Sequence, residues 1–301
     1  MDKEAALQRI LLSELPHVGE RTLRRLFLLA AEHQLAPVEL LRLPAPALVS
    51  ELKLPRSTVY FLQMHGPEYR RRCEWLAEHL AGHGGLVATF LDREFPKRWS
   101  DHLVRPPALV FAAGDPTALG QRSTCAVLHS REPTAQTLSA TTTVLRALAD
   151  QGMTLVGSVH KAPYRLGVAL ARSLGCPRVL VLDRGLFQVL GPNLDRDPLG
   201  GPLRQEARES EWVLSPFRLF DHAVARSGAR RDELVAALAD VIVALNARPG
   251  GGIERVCLQA LERGQCVLSW QAESRTLVGA GALPASEADL KSLPRFLAGS
   301  P

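Results

Sequence analysis

The first 83 residues follow a helical pattern of apolar and polar positions. Apolar side chains recur every three or four residues, as in the amphipathic segment from Ala5 to Leu12, and this spacing is typical of helices packed on a core. The pattern ends at Gly82-His83-Gly84-Gly85, because closely spaced glycines interrupt helices. We therefore predict an all-helical N-terminal domain over residues 1–83.

After residue 84 the pattern changes to short apolar runs of strand length. Two runs, Leu86–Phe90 and Leu109–Phe111, come before residue 125. Further runs then alternate with helical segments: Cys125–Leu128, Thr154–Val156, Arg178–Leu182, Trp212–Leu214, Val241–Leu245 and Cys266–Trp270. Such alternation predicts an α/β fold, in which helices cover both faces of a mostly parallel Rossmann-like sheet. We place this domain at residues 84–275 and treat residues 276–301 as a C-terminal tail.

Two loops of this domain have features of anion sites. Ser130 and Arg131 lie in a polar turn between a strand and a helix that starts near Thr134, and the first N–H groups of a helix point outward to any anion. Gly250, Gly251 and Gly252 precede another helix, and glycines allow close approach of the backbone to a ligand. Ordinary strand-to-helix connections explain both loops nearly as well, so the alternative stays open.

Composition narrows the class of protein. The 301 residues are 46% hydrophobic and carry a net charge of +5, which favours an acidic partner such as nucleic acid but also fits a balanced surface with a slight basic excess. No apolar run reaches the length of a membrane span, and the N-terminus lacks the features of a signal peptide. We expect a soluble, cytoplasmic protein without a membrane partner.

Cysteine and histidine spacing gives no metal signature. The five cysteines contain no CxxC pair, and the nine histidines show no HExxH or similar spacing, which argues against a disulfide framework or a zinc site. Ser130 beside His129 is not part of a GxSxG nucleophile motif. We therefore predict no catalytic residue, no metal and no cofactor.

The segment from Leu15 to Thr22 reads LPHVGERT and resembles the turn of a helix-hairpin-helix motif. In that motif a glycine lets the backbone approach a nucleic-acid phosphate, and the next helix presents its N-terminus. An ordinary turn between two helices with a glycine cap is the simpler alternative.

The ordered series of motifs resembles the DprA/Smf family of DNA-processing proteins over roughly residues 10–270. The segments that carry the resemblance are the turn at Leu15–Thr22, Phe95-Pro96, Pro106–Phe111, Ser130-Arg131, Gly157-Ser158, Val181–Leu186, Arg231-Asp232-Glu233 and Gly250–Ile253. The resemblance implies an extended Rossmann fold with a helix-hairpin-helix or SAM-like N-terminal domain. It also implies a homodimer without catalytic activity that binds single-stranded DNA and hands it to the RecA recombinase in natural transformation and recombination.

The residues that would contact nucleic acid follow from this resemblance and from the basic stretch around Phe217 and Phe220. They are Ser130, Arg131, Gly157, Ser158, Lys161, Arg218, Arg226, Arg230, Arg231, Gly250, Gly251 and Gly252. Arginine neutralises phosphates, and aromatic rings stack on bases.

Four positions depart from the family pattern. His129 replaces a glycine and would crowd a phosphate loop, and Glu233 replaces an arginine and would repel phosphate. Asn246 stands where the family has an acidic residue, and Gly228 where it has an aromatic one. These changes leave two alternatives open: a divergent Rossmann nucleotide-binding enzyme or sensor, related to lysine-decarboxylase-like proteins through Pro249–Gly252, and a scaffold that binds only proteins.

Overall fold

The computed structural model describes residues 2–120, 122–130, 134–271 and 274–290. Its strands are β1 (Leu86–Thr89), β2 (Leu109–Gly114), β3 (Thr124–His129), β4 (Thr154–Gly157), β5 (Arg178–Val181), β6 (Glu211–Ser215), β7 (Val241–Asn246), β8 (Cys266–Trp270) and β9 (Leu283–Ala285). Its helices are α1 (Lys3–Ser13), α2 (Glu20–Glu32), α3 (Pro37–Leu40), α4 (Ala45–Ser50), α5 (Arg56–Gly82), α6 (Lys97–His102), α7 (Thr117–Gly120), α8 (Ala135–Asp150), α9 (Ala162–Ser173), α10 (Leu186–Leu190), α11 (Gln205–Ser210), α12 (Ser227–Leu238), α13 (Gly252–Glu262), α14 (Arg275–Gly279) and α15 (Glu287–Leu290).

The strands described here form a single sheet in the order β1-β2-β6-β5-β4-β3-β7-β8-β9. All neighbours from β6 to β9 are parallel, whereas β2 pairs antiparallel with both β1 and β6. The predicted α/β class with a mostly parallel sheet is therefore confirmed. The chain moves outward from β3 to β6 and then returns to place β7 on the other side of β3, so the strand order reverses between β3 and β7. Ligands of parallel sheets bind at the carboxyl ends of strands beside such a reversal.

Alternating side chains of the strands fill two hydrophobic layers. In β3, Cys125 and Val127 pack with α8, whereas Ala126 and Leu128 face the opposite layer, which contains α12 and α13. Since both faces are covered, the central strands read as continuous apolar runs in the sequence. No helix in the described part of the chain is long and apolar enough to cross a membrane.

Residues 3–82 are helical apart from short connections, as predicted, but their hydrophobic core is continuous with that of the sheet. Leu76 and Leu80 of α5 belong to the same buried cluster as Phe111 of β2 and Leu180 of β5. The division of the chain at residue 83 into two domains stays a prediction, because the contact between the two parts is a shared core.

The C-terminal segment adds to the sheet instead of ending as a plain tail. Leu277, Ala285 and Leu290 are buried, and β9 pairs with β8 in parallel. The expectation of a tail from residue 276 is thus corrected as far as residue 290, while residues 291–301 lie outside the described residues. Strand β9 has only three residues, one of them Pro284. It is too short to show an apolar run or an alternation of apolar and polar residues, so the sequence did not predict it.

The shared core leads to a test of cooperativity. Leu76 is fully buried between the helices and the sheet, so Leu76→Ala should cost about 2–5 kcal/mol of unfolding free energy. The matched control is Met64→Ala on the same helix, where the side chain is 59% exposed. We expect Leu76→Ala alone to shift a single urea transition, seen at the same midpoint by circular dichroism and by tryptophan fluorescence. Two separate transitions, with only the helical one shifted, would instead show that residues 1–83 fold independently.

Candidate nucleic-acid interface

Two loops meet where the strand order reverses. The Ser130 N–H donates to the carbonyl oxygen of Asn246 at 2.9 Å, and the Ser130 hydroxyl donates to the same oxygen at 3.2 Å. The Arg248 N–H in turn donates to the Ser130 hydroxyl at 3.2 Å. The two predicted anion loops are therefore joined at the carboxyl ends of β3 and β7.

The glycine loop before α13 holds a carboxylate of its own chain. The N–H of Gly250, whose φ of 69° is left-handed, donates to Glu254 Oε2 at 2.7 Å, and Gly251 N–H donates to the Arg248 carbonyl at 2.9 Å. Glu254 is only 5% exposed, and its other oxygen lies 3.4 Å from the Ser274 hydroxyl. Because the N-terminal end of a helix attracts negative charge, Glu254 sits where an external anion would bind.

A buried ion network lies beside this loop, below the carboxyl ends of β4 and β5. Arg231 is 1% exposed and pairs with Asp183 and with Asp232, at 2.9 Å each. Lys161 Nζ is 2.7 Å from Asp232 Oδ2, and Arg184 Nε is 3.0 Å from Asp183 Oδ1. We call the surface over the carboxyl ends of β3, β4, β5 and β7 the groove; because the three cations outnumber the two carboxylates, its part beside β4 and β5 is positive.

Tyr164 of α9 ties the network to the helices. Its hydroxyl donates to Asp232 Oδ1 at 2.9 Å. The Arg231 guanidinium lies 5.2 Å and Lys161 Nζ 5.6 Å from the centroid of its ring. Burial raises the pKa of the Tyr164 hydroxyl far above its ordinary value, and the charge of Asp232 adds to this. The hydroxyl thus stays protonated as a donor.

Two groups of the groove have strongly shifted pKa values. Burial raises the pKa of Asp183, but the hydrogen bond and charge of His160, together with Arg184 and Arg231, outweigh burial and hold that pKa at about 2. Burial and the charge of Lys161 lower the pKa of His129 from 6.5 to about 4. Asp183 is therefore ionised and His129 neutral near pH 7.

The structure corrects the expected exposure of two arginines. Arg231 is buried in the ion network and does not flank an open groove. The Arg218 side chain donates to the carbonyl oxygens of Ser13, Leu15 and Val18, because the turn between α1 and α2 packs on the loop after β6. Arg218 therefore joins the N-terminal helices to the sheet, and the carbonyls of the hairpin-like turn accept from protein rather than face solvent.

Three other arginines, Arg226, Arg230 and Arg131, are also predicted to contact nucleic acid. Arg226 is exposed just before α12, whereas Arg230 lies 3.3 Å from Glu233 and 3.7 Å from Glu20. Arg131 lies outside the described residues.

The small residues of β4 lie at the same edge. Gly157 ends β4, and Ser158 is fully buried with no hydrogen-bond partner for its hydroxyl among the described residues. Gly252 is exposed and opens α13.

The four departures from the family pattern take different places in the fold. His129 is 3% exposed at a register shift between β3 and β7, and its Nδ1 is buried with no hydrogen-bond partner among the described residues. Glu233 pairs with Arg230, and Asn246 offers its backbone oxygen to Ser130. A Cβ on Gly228 would lie 3.8 Å from Arg231, at ordinary contact distance.

The sequence of the chain matches a known protein family over most of its length. The sequence model of the family "DNA recombination-mediator protein A" matches residues 86–292. The chain belongs to this family. No curated protein matches the chain.

Two solved structures share its fold. DNA processing protein A (DprA) from Streptococcus pneumoniae superposes with a TM-score of 0.67 and 16% identity over 94% of this chain and 96% of that chain. A structure of DNA processing protein A from Helicobacter pylori, determined for its single-stranded DNA binding mode, gives a TM-score of 0.54 and 17% identity over 71% of this chain and 95% of that chain. The described residues contain no cluster of ligands for a metal ion.

Sequence reasoning missed several residues that shape the groove of this family member. Asp183 follows β5 inside the segment Val181–Leu186, whose family resemblance rests on its apolar residues and its glycine, and Asp232 adjoins Arg231. The adjacent Arg231-Asp232 pair within a predicted helix was a usable signal for an internal ion pair. Tyr164 carried no signal, because its partner Asp232 is 68 residues away in the sequence, whereas Glu254, at the start of a helix, contacts Gly250 only four residues before it.

The Glu254 carboxylate leads to a first prediction on ligand binding. Glu254→Ala frees the Gly250 N–H and removes a negative charge from the helix N-terminus, so we expect about two- to tenfold tighter binding of labelled oligo-dT. Fluorescence anisotropy at fixed salt measures the change. Glu262→Ala at the exposed C-terminal end of α13 removes the same charge and serves as the matched control. An equal gain in both variants would show that only net charge matters.

The shifted pKa of His129 leads to a prediction on stability. The unfolded chain takes up a proton near pH 6.5 and the folded chain only near pH 4, so stability should fall as pH is lowered through this window, by up to roughly 3 kcal/mol. Asp183 contributes stability that is complete above its ordinary pKa of 3.8 and is lost toward pH 2, so the two effects are separate. Urea unfolding of His129→Gln should show a flatter profile between pH 6.5 and 4 than the unchanged chain. Parallel profiles would exclude a buried neutral His129.

Proposed function

We propose that the chain binds single-stranded DNA in the groove at the carboxyl ends of its parallel strands and acts in DNA processing. Membership in the DNA recombination-mediator protein A family is the observation that carries this function. It is supported by the two loops that meet where the strand order reverses and by the excess of cations around Asp183 and Asp232.

The phosphates would lie along the rim of the groove and not in its floor. Arg231 and Lys161 are buried or nearly buried beside carboxylates, whereas Arg184, Arg226 and Arg248 lie in the loops after β5, β6 and β7 with exposed or partly exposed side chains, and Arg184 also contacts Asp183. Cations in such positions neutralise phosphates without reading base sequence. We therefore expect binding that is strongly dependent on salt and weakly dependent on sequence.

The partners follow from the family and remain part of the proposal. We infer that the protein passes single-stranded DNA to the RecA recombinase in the cytoplasm, during natural transformation and recombination, and that it does so as a homodimer. The Helicobacter pylori relative, whose structure was determined for single-stranded DNA binding, supports the nucleic-acid part of this inference. Co-sedimentation of RecA with the protein, with and without oligo-dT, tests the handover.

A protein-binding scaffold is the second candidate, because the groove floor is filled. Arg231 is buried, Arg218 is bound to backbone carbonyls, and Glu254 occupies the glycine loop. The same carboxylate argues against the nucleotide-sensor alternative, since a nucleotide phosphate at this loop would meet a buried negative charge. The scaffold function predicts no salt-dependent binding of oligo-dT.

Arginine variants on the rim separate these functions. Arg184→Ala and Arg248→Ala should each weaken oligo-dT binding, and each should reduce the slope of log affinity against log salt by about 0.7, the value for one phosphate of a single strand. Arg146→Ala is the control, because Arg146 is exposed on α8 close to its C-terminal end, away from the strand carboxyl ends. Affinities are measured by anisotropy at three salt concentrations with single-stranded and duplex DNA. Unchanged slopes in both rim variants would reject phosphate binding at this groove.

A further inference from the structure

An aromatic stack connects the N-terminal helices to the sheet. Trp75 of α5 stacks on Phe220, with ring centroids 6.3 Å apart and an interplanar angle of 18°, and the His79 ring lies 4.1 Å from the Trp75 ring at 35°. Phe187 of α10 contacts Phe220 edge-on at 5.6 Å. We call Trp75, His79 and Phe220 the aromatic platform.

The platform is open to solvent. Trp75 is 41% exposed and Phe220 is 37% exposed, whereas Trp99, Trp212 and Trp270 are at most 4% exposed. Adjacent exposed aromatic rings leave apolar surface in contact with water, which is unfavourable in free energy. A planar ligand that covers the rings removes this surface from water and so binds favourably.

The platform is held rigidly next to the proposed DNA groove. Phe220 lies in the loop that follows β6, where Gly185 N–H donates to the Asp221 carbonyl at 2.8 Å and Phe187 N–H donates to the Leu219 carbonyl at 2.9 Å. A Cβ on Gly185 would collide with the carbonyl oxygens of Arg218 and Leu219, so glycine permits this close contact. The loops after β5 and β6 are therefore hydrogen-bonded to each other next to Phe220.

Charged residues surround the platform on α5. Arg71 and Arg72 lie about one helical turn before Trp75 and are exposed, and Arg72 is 3.7 Å from Glu14, while Glu78 follows Trp75 and pairs with Lys3 at 3.0 Å. His79 is oriented by the contact of its Nδ1 with the Trp75 carbonyl oxygen at 2.9 Å. Exposed aromatic rings with arginines beside them have the composition of a surface for single strands, on which bases stack while cations follow the backbone.

We propose that the aromatic platform stacks unpaired bases of a DNA strand whose phosphates lie along the carboxyl-end groove. This inference rests on the proposed function, because it extends the same binding site onto the N-terminal helices. Duplex DNA, in which the bases are already stacked, does not use the platform.

Trp75 provides a direct signal for the test. The other three tryptophans are buried, so the part of the emission that acrylamide quenches comes from Trp75. Oligo-dT should reduce this emission and protect it from acrylamide, whereas duplex DNA of the same length should not. The Trp75→Phe variant provides the blank for the signal and should keep most of the affinity, because it keeps a ring.

Affinity measurements complete the test. Trp75→Ala and Phe220→Leu should each weaken oligo-dT binding by about tenfold while leaving the salt slope unchanged, because each removes a stacking ring and leaves every phosphate-binding cation in place. Tyr60→Ala is the matched control, since Tyr60 lies on the same helix and is 63% exposed but outside the platform. Thermal unfolding checks that each variant folds.

The outcomes separate this inference from the proposed function. Salt-dependent binding of oligo-dT with unchanged affinity in Trp75→Ala and Phe220→Leu overturns the platform alone. A change of oligomeric state in these variants without a change in affinity also overturns it, and assigns the rings to a contact between copies of the chain. Absence of any salt-dependent binding overturns both the platform and the proposed function.

Discussion

The buried guanidinium of Arg231 is the interaction on which the rest of the groove depends. It is enclosed by Asp183, at the end of β5, and by Asp232, its neighbour on α12. Through Asp232 it also fixes Lys161 and Tyr164 at the start of α9. Three elements that are distant in sequence are thus held by one cation, and loss of one partner of such a buried pair costs about 3–5 kcal/mol, because a charge is left unpaired.

This commitment changes where a DNA strand could bind. Because Arg231 pairs with two buried carboxylates, it is not available to bind a phosphate. The cations that contact a ligand must therefore be the more exposed arginines at the edge of the groove. Glu254 has a parallel effect at the glycine loop, where it satisfies the Gly250 N–H from inside the protein. The floor of the groove is therefore closed by internal ion pairs and hydrogen bonds, and its rim carries the exposed cations.

The strands and the fold class could be predicted because each central strand is buried on both faces and reads as an apolar run. The sequence predicted that the Ser130 and Gly250 loops would converge if both followed carboxyl strand ends, but it did not predict that β3 and β7 are neighbours in the sheet. The burial of Arg231 and the contacts of Arg218 with backbone carbonyls could not be predicted, because the sequence does not show whether an arginine binds a phosphate, a carboxylate or a carbonyl. A partner of Arg231 lies 48 residues away in the sequence, and the partners of Arg218 lie about 200 residues away.

The N-terminal helices take part in the site through Arg218. Its guanidinium joins the turn after α1 to the loop after β6, and this loop also carries Phe220 to its contact with Trp75. A residue whose type suits phosphate binding instead joins two parts of the chain through backbone carbonyls. Since the same loop is bonded to the residues after β5, the buried ion network, Arg218 and the aromatic platform are linked through the loops after β5 and β6. A ligand that contacts both the exposed arginines of the groove and the aromatic platform would have to be long and flexible and carry several planar rings. A single strand of DNA fits this description better than a nucleotide does.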